Sequence, residues 1–586
     1  MTAPSSSNHS VHHEEIAHGS SHDRPTNGHG EHTPTETTAL IAPSPKNPRS
    51  HRTPERQRLF YEAWAVRIIF IFLAFLAAIS TIALVFLILN TGMSSVAHIL
   101  PPHRGSRLLP AWFALISAWI SLSAVTLFGT PSALTRVSLF ISLFLLVLDI
   151  ILLAAVTQLR RQESALTLAA CGLAIVTAGA SLGANYLVKN VREKEGAPVR
   201  NGAETVREAE LRARLYVAQE NYWSNRAARA IKVIISFILI FATSVALFLI
   251  TFDICLTAVD SSVLLPFKNS KLHSVQPDNN WSYKVHLSCS GPTSMSPPPT
   301  VLNATTNGRG KIRDVPTVLY ESMRGVPGSL GGEWVVNLRE TGKVGRVCVW
   351  DRPGYGFSDN SASAEMGHVS DALWQALEYQ GEEGPYVLVG AGYGGLLTRL
   401  FASRHPETVH SLVYIDSETS HTFFLTRARH NTFFHTHLPV LTAPLGLSRI
   451  TSLIKNHTPR VSRVLANVLQ QTAWQNPRLL STLLQEQYLA HSRQSASFRD
   501  LLETERQYPS RRPTIVLSSG ERVSKESAWR DAQERLWEEI VDEKGRVRWE
   551  ILEDVGHDVC AKTTEGAVSP GLEACENAVT DLVWRD

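Results

Sequence analysis

Hydrophobic and polar positions divide the 586-residue chain into two halves of different character. The first half contains five long apolar runs with almost no charged residues, and a helix needs about 20 apolar residues to cross a bilayer. Several runs of this length, separated by short polar turns, are rare in soluble folds. We therefore predict five transmembrane helices, over Ile68–Leu89, Pro110–Phe128, Val137–Val156, Ala165–Val188 and Val233–Phe252.

Basic residues are distributed unevenly around these five runs. They are concentrated before the first run and in the segment 189–230, whereas the connections on the other side contain only Arg104, Arg107, Arg160 and Arg161. An excess of Lys and Arg marks the cytosolic side of a membrane protein. The N-terminus and the loop 189–230 are then cytosolic, and an odd number of spans places the C-terminal half in a lumen or outside the cell.

Two features of the C-terminal half agree with that location. Three N-x-S/T triplets, the acceptor pattern for N-glycosylation, begin at Asn280, Asn303 and Asn456. Four of the six cysteines lie in the same half, at Cys289, Cys348, Cys560 and Cys575, and an oxidising compartment permits disulfides. The short polar segment between Cys560 and Cys575 favours a bridge between those two, whereas the apolar stretch around Cys348 favours a buried free thiol.

The first 55 residues are rich in Ser, Thr, Pro, Asn and His, and they contain too few large apolar groups to bury a core. We predict that residues 1–55 form a disordered cytosolic tail, whose histidines lack a fixed geometry for binding a metal. The segment Glu36–Ile41 resembles the acidic dileucine signals that sorting adaptors bind, which suggests an adaptor partner and a vacuolar or endosomal membrane. A net charge of +3 does not indicate a nucleic-acid partner.

From about Asp278 onward, short apolar stretches typical of buried parallel strands alternate with helical segments. These stretches begin at Thr317, Arg346, Tyr386, Ser411, Thr514 and Val547. Residues 417–513 are mainly helical and interrupt the alternation, as a cap over a cleft does. We assign 56–255 to the membrane region, 256–310 to a linker and the first strands, and 311–586 to an α/β domain.

Four motifs in this half resemble the α/β-hydrolase superfamily. Asp351–Asp359 resembles the loop after the fourth strand, Gly384–Ala402 the nucleophile-elbow strand and its helix, His405–Asp416 the next strand, and Val555–Asp558 the loop that presents the catalytic histidine. The resemblance implies a mostly parallel sheet with helices on both faces and a helical cap. The fusion of such a domain to a multi-spanning region also resembles an uncharacterised family of fungal integral membrane proteins.

The nucleophile elbow departs from the family pattern. Its usual Gly-His-Ser-x-Gly-Gly reads Gly-Ala-Gly-Tyr-Gly-Gly over Gly390–Gly395, so that Gly392 stands at the serine position. Glycine adopts the positive φ of this turn without a Cβ penalty, but it offers no hydroxyl for covalent catalysis. We therefore predict a non-catalytic or impaired hydrolase rather than a serine hydrolase of the usual kind.

The other parts of such a site are present. By resemblance, His557 stands at the base position, and either Glu521 or Asp416 stands at the acid position. An oxyanion-type region that binds a carbonyl oxygen or an anion is expected at Tyr393, Ser322 and Met323. We expect no cofactor and no metal ion.

Two residues in the apolar runs also bear on function. Ser181 lies in a literal G-x-S-x-G pattern, but it follows no strand and lies inside the fourth run, so its small neighbours predict close helix packing rather than a nucleophile. Asp149, in the third run, is an acid in a place where charge is expensive. It indicates either a local hydrogen bond to a neighbouring helix or a proton or ion path.

Three functions follow from these observations. The first is a lumenal, non-catalytic domain that binds a lipid, ester or protein ligand and is anchored among membrane lipids. The second is an active ester or lipid hydrolase that uses a different nucleophile or a water activated by His557. The third is a transporter-like role of the membrane half, with Asp149 on the path.

Overall fold

The computed structural model describes residues 54–92, 99, 105–126, 133–195, 223–260, 267–277, 281–298, 312–425, 437–447, 449–450, 454, 477–491, 496–507, 512–540, 547–561 and 569–585. Most of the predicted tail 1–55, with the segment Glu36–Ile41, lies outside these residues. So do the three predicted glycosylation sites, Asn280, Asn303 and Asn456, and parts of the predicted loop 189–230 and cap 417–513.

The N-terminal half consists of helices. In chain order they are α1 (Pro54–Gly92), α2 (Leu109–Thr126), α3 (Ala133–Ala155), the short α4 (Thr157–Gln162), α5 (Ala165–Glu195) and α6 (Trp223–Asp260). All but α4 contain a segment long and apolar enough to cross a membrane. Each segment overlaps one of the five predicted runs, and most helices extend into the polar flanks because propagating a formed helix costs little.

Helices α2, α3, α5 and α6 share one apolar core, in which small side chains from α5 allow the close approach of α2. Three buried hydroxyls are linked across this bundle. Ser117 on α2 lies 2.7 Å from the Ser80 hydroxyl on α1 and 2.8 Å from the Thr177 hydroxyl on α5. Ser181 is also buried inside α5 and makes no hydrogen bond among the described residues. Its place in the bundle gives it no route to a substrate in water.

The C-terminal half is built on an eight-stranded sheet in the order β1-β2-β6-β5-β7-β8-β9-β10. Strands β1 and β2 are antiparallel to their neighbours, and β5 to β10 run parallel to one another. A two-stranded hairpin, β3 and β4, lies outside this sheet. The strands are β1 (Ser270–Val275), β2 (Tyr283–Ser290), β3 (Ser294–Met295), β4 (Arg313–Asp314), β5 (Thr317–Glu321), β6 (Val347–Asp351), β7 (Tyr386–Ala391), β8 (Val409–Ile415), β9 (Thr514–Ser519) and β10 (Val547–Leu552).

Helices cover both faces of this sheet, so that the parallel strands are buried on two sides and read as continuous apolar stretches. The fold class is the one predicted. The helices are α7 (Gly328–Gly331), α8 (Glu333–Glu340), α9 (Met366–Gln380), α10 (Tyr393–Arg404), α11 (Ser420–Leu425), α12 (Leu438–Thr442), α13 (Pro477–His491), α14 (Ala496–Gln507), α15 (Gly520–Lys525), α16 (Ser527–Ile540) and α17 (Pro570–Trp584). Helices α11 to α14 lie in the predicted cap.

The α/β domain packs against one end of the helix bundle through its cap. The Trp112 indole nitrogen on α2 donates a hydrogen bond to the Leu441 carbonyl oxygen at 2.8 Å. The Asp253 carboxylate on α6 accepts from the Arg449 guanidinium at 2.7 Å. Leu480 and Leu484 on α13 share a small apolar cluster with Leu87 and Ala111 of the bundle. The cap is therefore continuous with the membrane-type helices.

Two disulfides lie in the C-terminal half. Cys560 is bonded to Cys575. Cys289 is bonded to Cys348, and the prediction of a free Cys348 thiol was therefore wrong. Strands β2 and β6 pair in a register that sets these two residues opposite each other. The free cysteines of the described chain, Cys171 and Cys255, both lie in membrane-type helices.

Candidate active site

The elbow between β7 and α10 has the backbone of a nucleophile turn. Gly392 lies at φ 52° and ψ −119°, angles at which a residue with a side chain is strained. A Cβ on Gly394 would lie 2.4 Å from the Glu321 carbonyl oxygen, and one on Gly395 would lie 1.8 Å from the Ser417 hydroxyl. The glycines after the elbow are therefore required by close packing, whereas Gly392 stands at the position whose side chain would enter the site.

The direction of the missing side chain is defined by the backbone of Gly392. A Cβ built there would lie 3.5 Å from both Nε2 and Cε1 of His557 and 3.1 Å from the Cβ of Met323. A hydroxyl one bond farther out would be within reach of Nε2. The structure thus keeps the geometric relation between nucleophile position and base that a serine hydrolase uses, without the hydroxyl.

Asp416 occupies the acid position. It follows β8 directly, is fully buried, and its Oδ2 lies 2.5 Å from Nδ1 of His557. Its Oδ1 accepts hydrogen bonds from the Trp529 indole nitrogen at 2.8 Å and from the Ser519 backbone N–H at 3.1 Å. Both carboxylate oxygens are therefore held in place, and Oδ2 is directed at the imidazole.

Glu521, the other candidate for the acid, does not contact His557. Its carboxylate accepts from the Lys525 ammonium at 2.5 Å, and about half of its side-chain surface is exposed, 51%. Glu521 lies in the first turn of α15, two residues after Ser519, the end of β9 that supports Asp416. The sequence left two carboxylates open, and the structure places Asp416 beside the histidine.

Arg522 is a member of the site that the sequence analysis did not include. Its Nη1 lies 3.0 Å from Nδ1 of His557 and 3.6 Å from Oδ2 of Asp416, and its guanidinium carbon lies 3.3 Å from the centroid of the Trp529 ring. A guanidinium can only donate hydrogen bonds. Nδ1 of a neutral imidazole either donates to Asp416 or accepts from Arg522, so the two neighbours favour opposite tautomers. Only the first leaves Nε2 free to accept a proton.

Ser322 and Met323, two residues of the predicted oxyanion-type region, lie in the loop after β5. Arg352 donates hydrogen bonds to the carbonyl oxygens of Ser322 at 2.8 Å and Met323 at 3.0 Å, and it pairs with the Glu321 carboxylate at 2.9 Å. Both members of that ion pair are buried. Tyr393 is the first residue of α10, and its ring packs against the guanidinium groups of Arg324 and Arg352. Burial raises the pKa of the Tyr393 phenol well above its ordinary value.

Serine hydroxyls near the elbow are engaged with the backbone. Ser322 donates to the Val326 carbonyl oxygen, Ser417 to that of Glu418, and Ser519 to that of Val555. Among the described residues, none of these hydroxyls is hydrogen-bonded to His557. Within that part of the chain, no second serine replaces the hydroxyl that Gly392 lacks.

A cleft of about 490 Å³ opens in front of the histidine. Acidic and basic side chains in equal number make up most of its lining, which consists of Arg324, Glu418, Ser519, Glu521, Arg522, Lys525, Glu526 and His557. Arg324 pairs with Glu418 at 3.2 Å and with Glu486 of α13 at 2.8 Å, which ties the cap to the oxyanion-type loop.

One group of described residues has the spacing of metal ligands, Cys289, Cys348 and Glu382. Its cysteines are bonded to each other, so they offer no thiolate, and Glu382 is paired with Arg346. Thiolate coordination is therefore excluded for this group in the oxidised protein.

Comparison with known proteins assigns both halves of the chain. Residues 325–563 match the "Alpha/beta hydrolase family", and residues 28–289 match a "Region of unknown function (DUF2417)". Solved structures similar to this chain include the Cif epoxide hydrolase from Acinetobacter nosocomialis, with a TM-score of 0.38, 13% identity, and coverage of 58% of this chain and 96% of that chain. A probable hydrolytic enzyme from Pseudomonas aeruginosa has a TM-score of 0.33, 14% identity, and coverage of 49% and 88%.

Two curated relatives come from yeasts. An uncharacterized protein of Schizosaccharomyces pombe is 32% identical over 220 residues, which cover 36% of this chain and 38% of that protein. An uncharacterized vacuolar membrane protein of Saccharomyces cerevisiae is 30% identical over 138 residues, which cover 23% of this chain and 20% of that protein. The matches thus span well under half the length of either relative. The chain thus joins a region that matches DUF2417 and contains membrane-type helices to a domain that matches the α/β-hydrolase family, and these curated relatives are fungal proteins.

Proposed function

We propose that the C-terminal domain is a hydrolase scaffold that binds its ligand without hydrolysing it. The observation that carries this proposal is Gly392 in the elbow, with its Cβ direction 3.5 Å from Nε2 of His557. The base and Asp416 are in position, but there is no hydroxyl to form an acyl-enzyme. Backbone amides at the elbow can still bind a carbonyl oxygen or an anion without reacting with it.

The ligand class follows from the cleft. Its charged side chains favour a polar group. Arg324 of its lining pairs with Glu486 of α13 in the cap, and the cap is packed on the membrane-type helices. We infer that the ligand is an ester or lipid whose polar, carbonyl-bearing part enters the cleft. Membrane lipids would then be near at hand, and a sorting adaptor that binds Glu36–Ile41 would direct the protein to its membrane.

We place the domain on the lumenal side of a vacuolar or other secretory-pathway membrane. Support comes from the uneven distribution of Lys and Arg, from the two disulfides, and from the three N-x-S/T triplets. A similar yeast protein is described as a vacuolar membrane protein. The test is the mobility of the protein before and after treatment with an N-glycosidase. A shift that disappears when Asn280, Asn303 and Asn456 are changed to Gln supports the lumenal placement, and protease digestion of the domain in sealed, intact vesicles would exclude it.

The absence of covalent catalysis is tested on the full-length protein in detergent. We expect a fluorophosphonate probe to leave the elbow peptide unlabelled, and we expect no turnover of short- or long-chain acyl esters. His557→Ala is the informative variant, and His421→Ala, which removes an exposed histidine on α11, is its matched control. Ester turnover that His557→Ala abolishes and His421→Ala retains would refute the proposal. It would instead establish the second hypothesis, hydrolysis by a His557-activated water or another nucleophile.

A further inference from the structure

Asp149 lies in the core of the helix bundle. It is fully buried on the stripe of α3 that also presents Leu146 and Leu153, and α3 packs there against both α5 and α6. Lipid does not surround this carboxyl; other helices do. The sequence left two possibilities for this residue, a local hydrogen bond or an ion path.

The polar group beside the carboxyl of Asp149 is the Thr251 hydroxyl of α6, which can either donate a hydrogen bond or accept one. Among the described residues, neither Oδ1 nor Oδ2 of Asp149 has a partner within hydrogen-bond distance and angle, and the same is true of Oγ1 of Thr251. Elsewhere in the bundle, the buried hydroxyls of Ser80 and Ser117 are paired with each other, whereas that of Ser181 is not paired within the described part of the chain. The bundle thus holds an acid and a hydroxyl close together in its core, with the hydroxyl as the donor available to the carboxylate.

A carboxylate in such surroundings must carry a positive partner, because an isolated buried anion is very costly. The titratable groups that face it from the neighbouring helices are the thiols of Cys171 on α5 and Cys255 on α6, and neither can supply a positive charge. Three oxygens are too few to replace the coordination shell of a metal cation, which takes about six oxygens. A proton needs only one oxygen of the carboxyl and a second acceptor beside it. Thr251 supplies that acceptor.

The position of this group along the helices indicates from which side a proton would arrive. Asp149 lies six residues before the end of α3, and Thr251 lies nine residues before the end of α6, which corresponds to about 9 and about 14 Å. These are the helix ends on which the α/β domain is packed. Arg449 of the cap reaches the same end and pairs there with Asp253 and Thr257 of α6.

We propose that Asp149 is a proton-binding site inside the membrane bundle, in exchange with the side that carries the α/β domain. The carboxyl takes up a proton on Oδ1 or Oδ2, and the protonated group donates that hydrogen to Thr251. Release of the proton leaves a carboxylate that can accept a hydrogen bond from the Thr251 hydroxyl. This proposal is independent of whether the C-terminal domain catalyses a reaction.

The test uses a hydrophobic carbodiimide, dicyclohexylcarbodiimide, which reacts with protonated carboxyls in apolar surroundings. Full-length protein in detergent is treated from about pH 5 to about pH 9, a range in which a buried carboxyl changes charge, and the adduct is located by peptide mass spectrometry. We expect an adduct on Asp149 that decreases several-fold as the pH rises. Asp149→Asn should abolish it, whereas Asp253→Asn, which changes the ion-paired acid at the helix end, should retain it.

Three results would overturn the proposal. Asp149 without an adduct at any pH in wild-type protein would show that the group is inaccessible or always ionised. An adduct of constant yield across the pH range would show a permanently protonated, structural residue. Protection by added Na⁺, K⁺ or Ca²⁺ at constant pH would assign the site to a metal cation instead. The mapping is carried out on the wild-type chain, so it holds even if Asp149→Asn does not fold.

Discussion

Restoring the missing hydroxyl is the most direct perturbation of the elbow. In Gly392→Ser, the new Cβ lies 3.5 Å from Nε2 of His557, so that one further bond brings the oxygen within roughly 2.6–3.2 Å of the base. His557 already has its acid partner, Asp416, 2.5 Å from Nδ1. We expect Gly392→Ser to react with a fluorophosphonate probe at the elbow, and His557→Ala in the same chain to abolish that reaction.

The substitution has a calculable cost. A residue with a side chain at φ 52° and ψ −119° is strained by about 1–3 kcal/mol. In addition, the Cβ of Met323 lies 3.1 Å from the new Cβ, a contact that requires the loop after β5 to move by a few tenths of an ångström. Arg352 holds that loop by two carbonyl oxygens. We therefore expect destabilisation toward the upper end of that range.

Two control variants separate strain from chemistry. Gly392→Ala introduces the same Cβ without the hydroxyl, so it should lose the same stability and gain no labelling. Ala391→Ser adds a hydroxyl one residue earlier. The side chain at position 391 is buried in a hydrophobic core, so this variant should also remain unlabelled. The assays are the labelling time course in detergent and thermal unfolding of the full-length protein. If Gly392→Ser is as stable as Gly392→Ala and still does not react, our interpretation of the elbow as a nucleophile turn is wrong.

Three further predictions concern the acid, a buried ion pair and pH. Asp416→Asn, made in the serine-restored chain, should slow labelling by roughly 10²–10⁴-fold because the imidazole loses the acceptor that fixes its tautomer; an unchanged time course would contradict this role. Arg352→Met should lower the free energy of unfolding by about 3–5 kcal/mol because it leaves Glu321 buried without its charge partner. In denaturant unfolding, adding Glu321→Gln to this variant should recover part of the lost stability. Strictly additive losses would show that the two residues do not stabilise the fold as an ion pair. Burial lowers the pKa of His405, which stacks on Trp374. As the pH falls below about 6.5, this histidine is protonated more readily in the unfolded chain than in the folded one, so the folded state loses stability. In His405→Phe the unfolding temperature should therefore depend less on pH between about 7 and 5, and an identical pH dependence would show that His405 does not contribute.

Much of the fold could be predicted because its signals are local. Five long apolar runs give five helices, and the doubly buried strands from Thr317 onward read as continuous apolar stretches. The elbow was visible for the same reason, since strand, glycine turn and helix are consecutive in the sequence. His557 could be placed at the base position from its motif alone.

The parts that could not be predicted depend on which distant segments become neighbours. Asp416 and Glu521 both follow strand ends, and the sequence does not show which carboxylate faces the imidazole. Adjacent pairing of β8 and β9 supplies the backbone N–H of Ser519 that holds Asp416 in place. The bridge to Cys348 likewise depends on the pairing of β2 with β6, two strands that are not consecutive in the chain.

The histidine and aspartate need no nucleophile to be stable in this site. The buried carboxylate of Asp416 accepts hydrogen bonds from the Trp529 indole and a backbone N–H, and the Arg522 guanidinium lies 3.6 Å away, so its charge is compensated before the imidazole is counted. Arg522 is in turn held on the Trp529 ring. His557, with 42% of its side chain exposed, adds one further donor to a network that is already satisfied. A complete acid–base pair is therefore weak support for catalysis in this domain, and the presence or absence of a hydroxyl at position 392 is the stronger criterion.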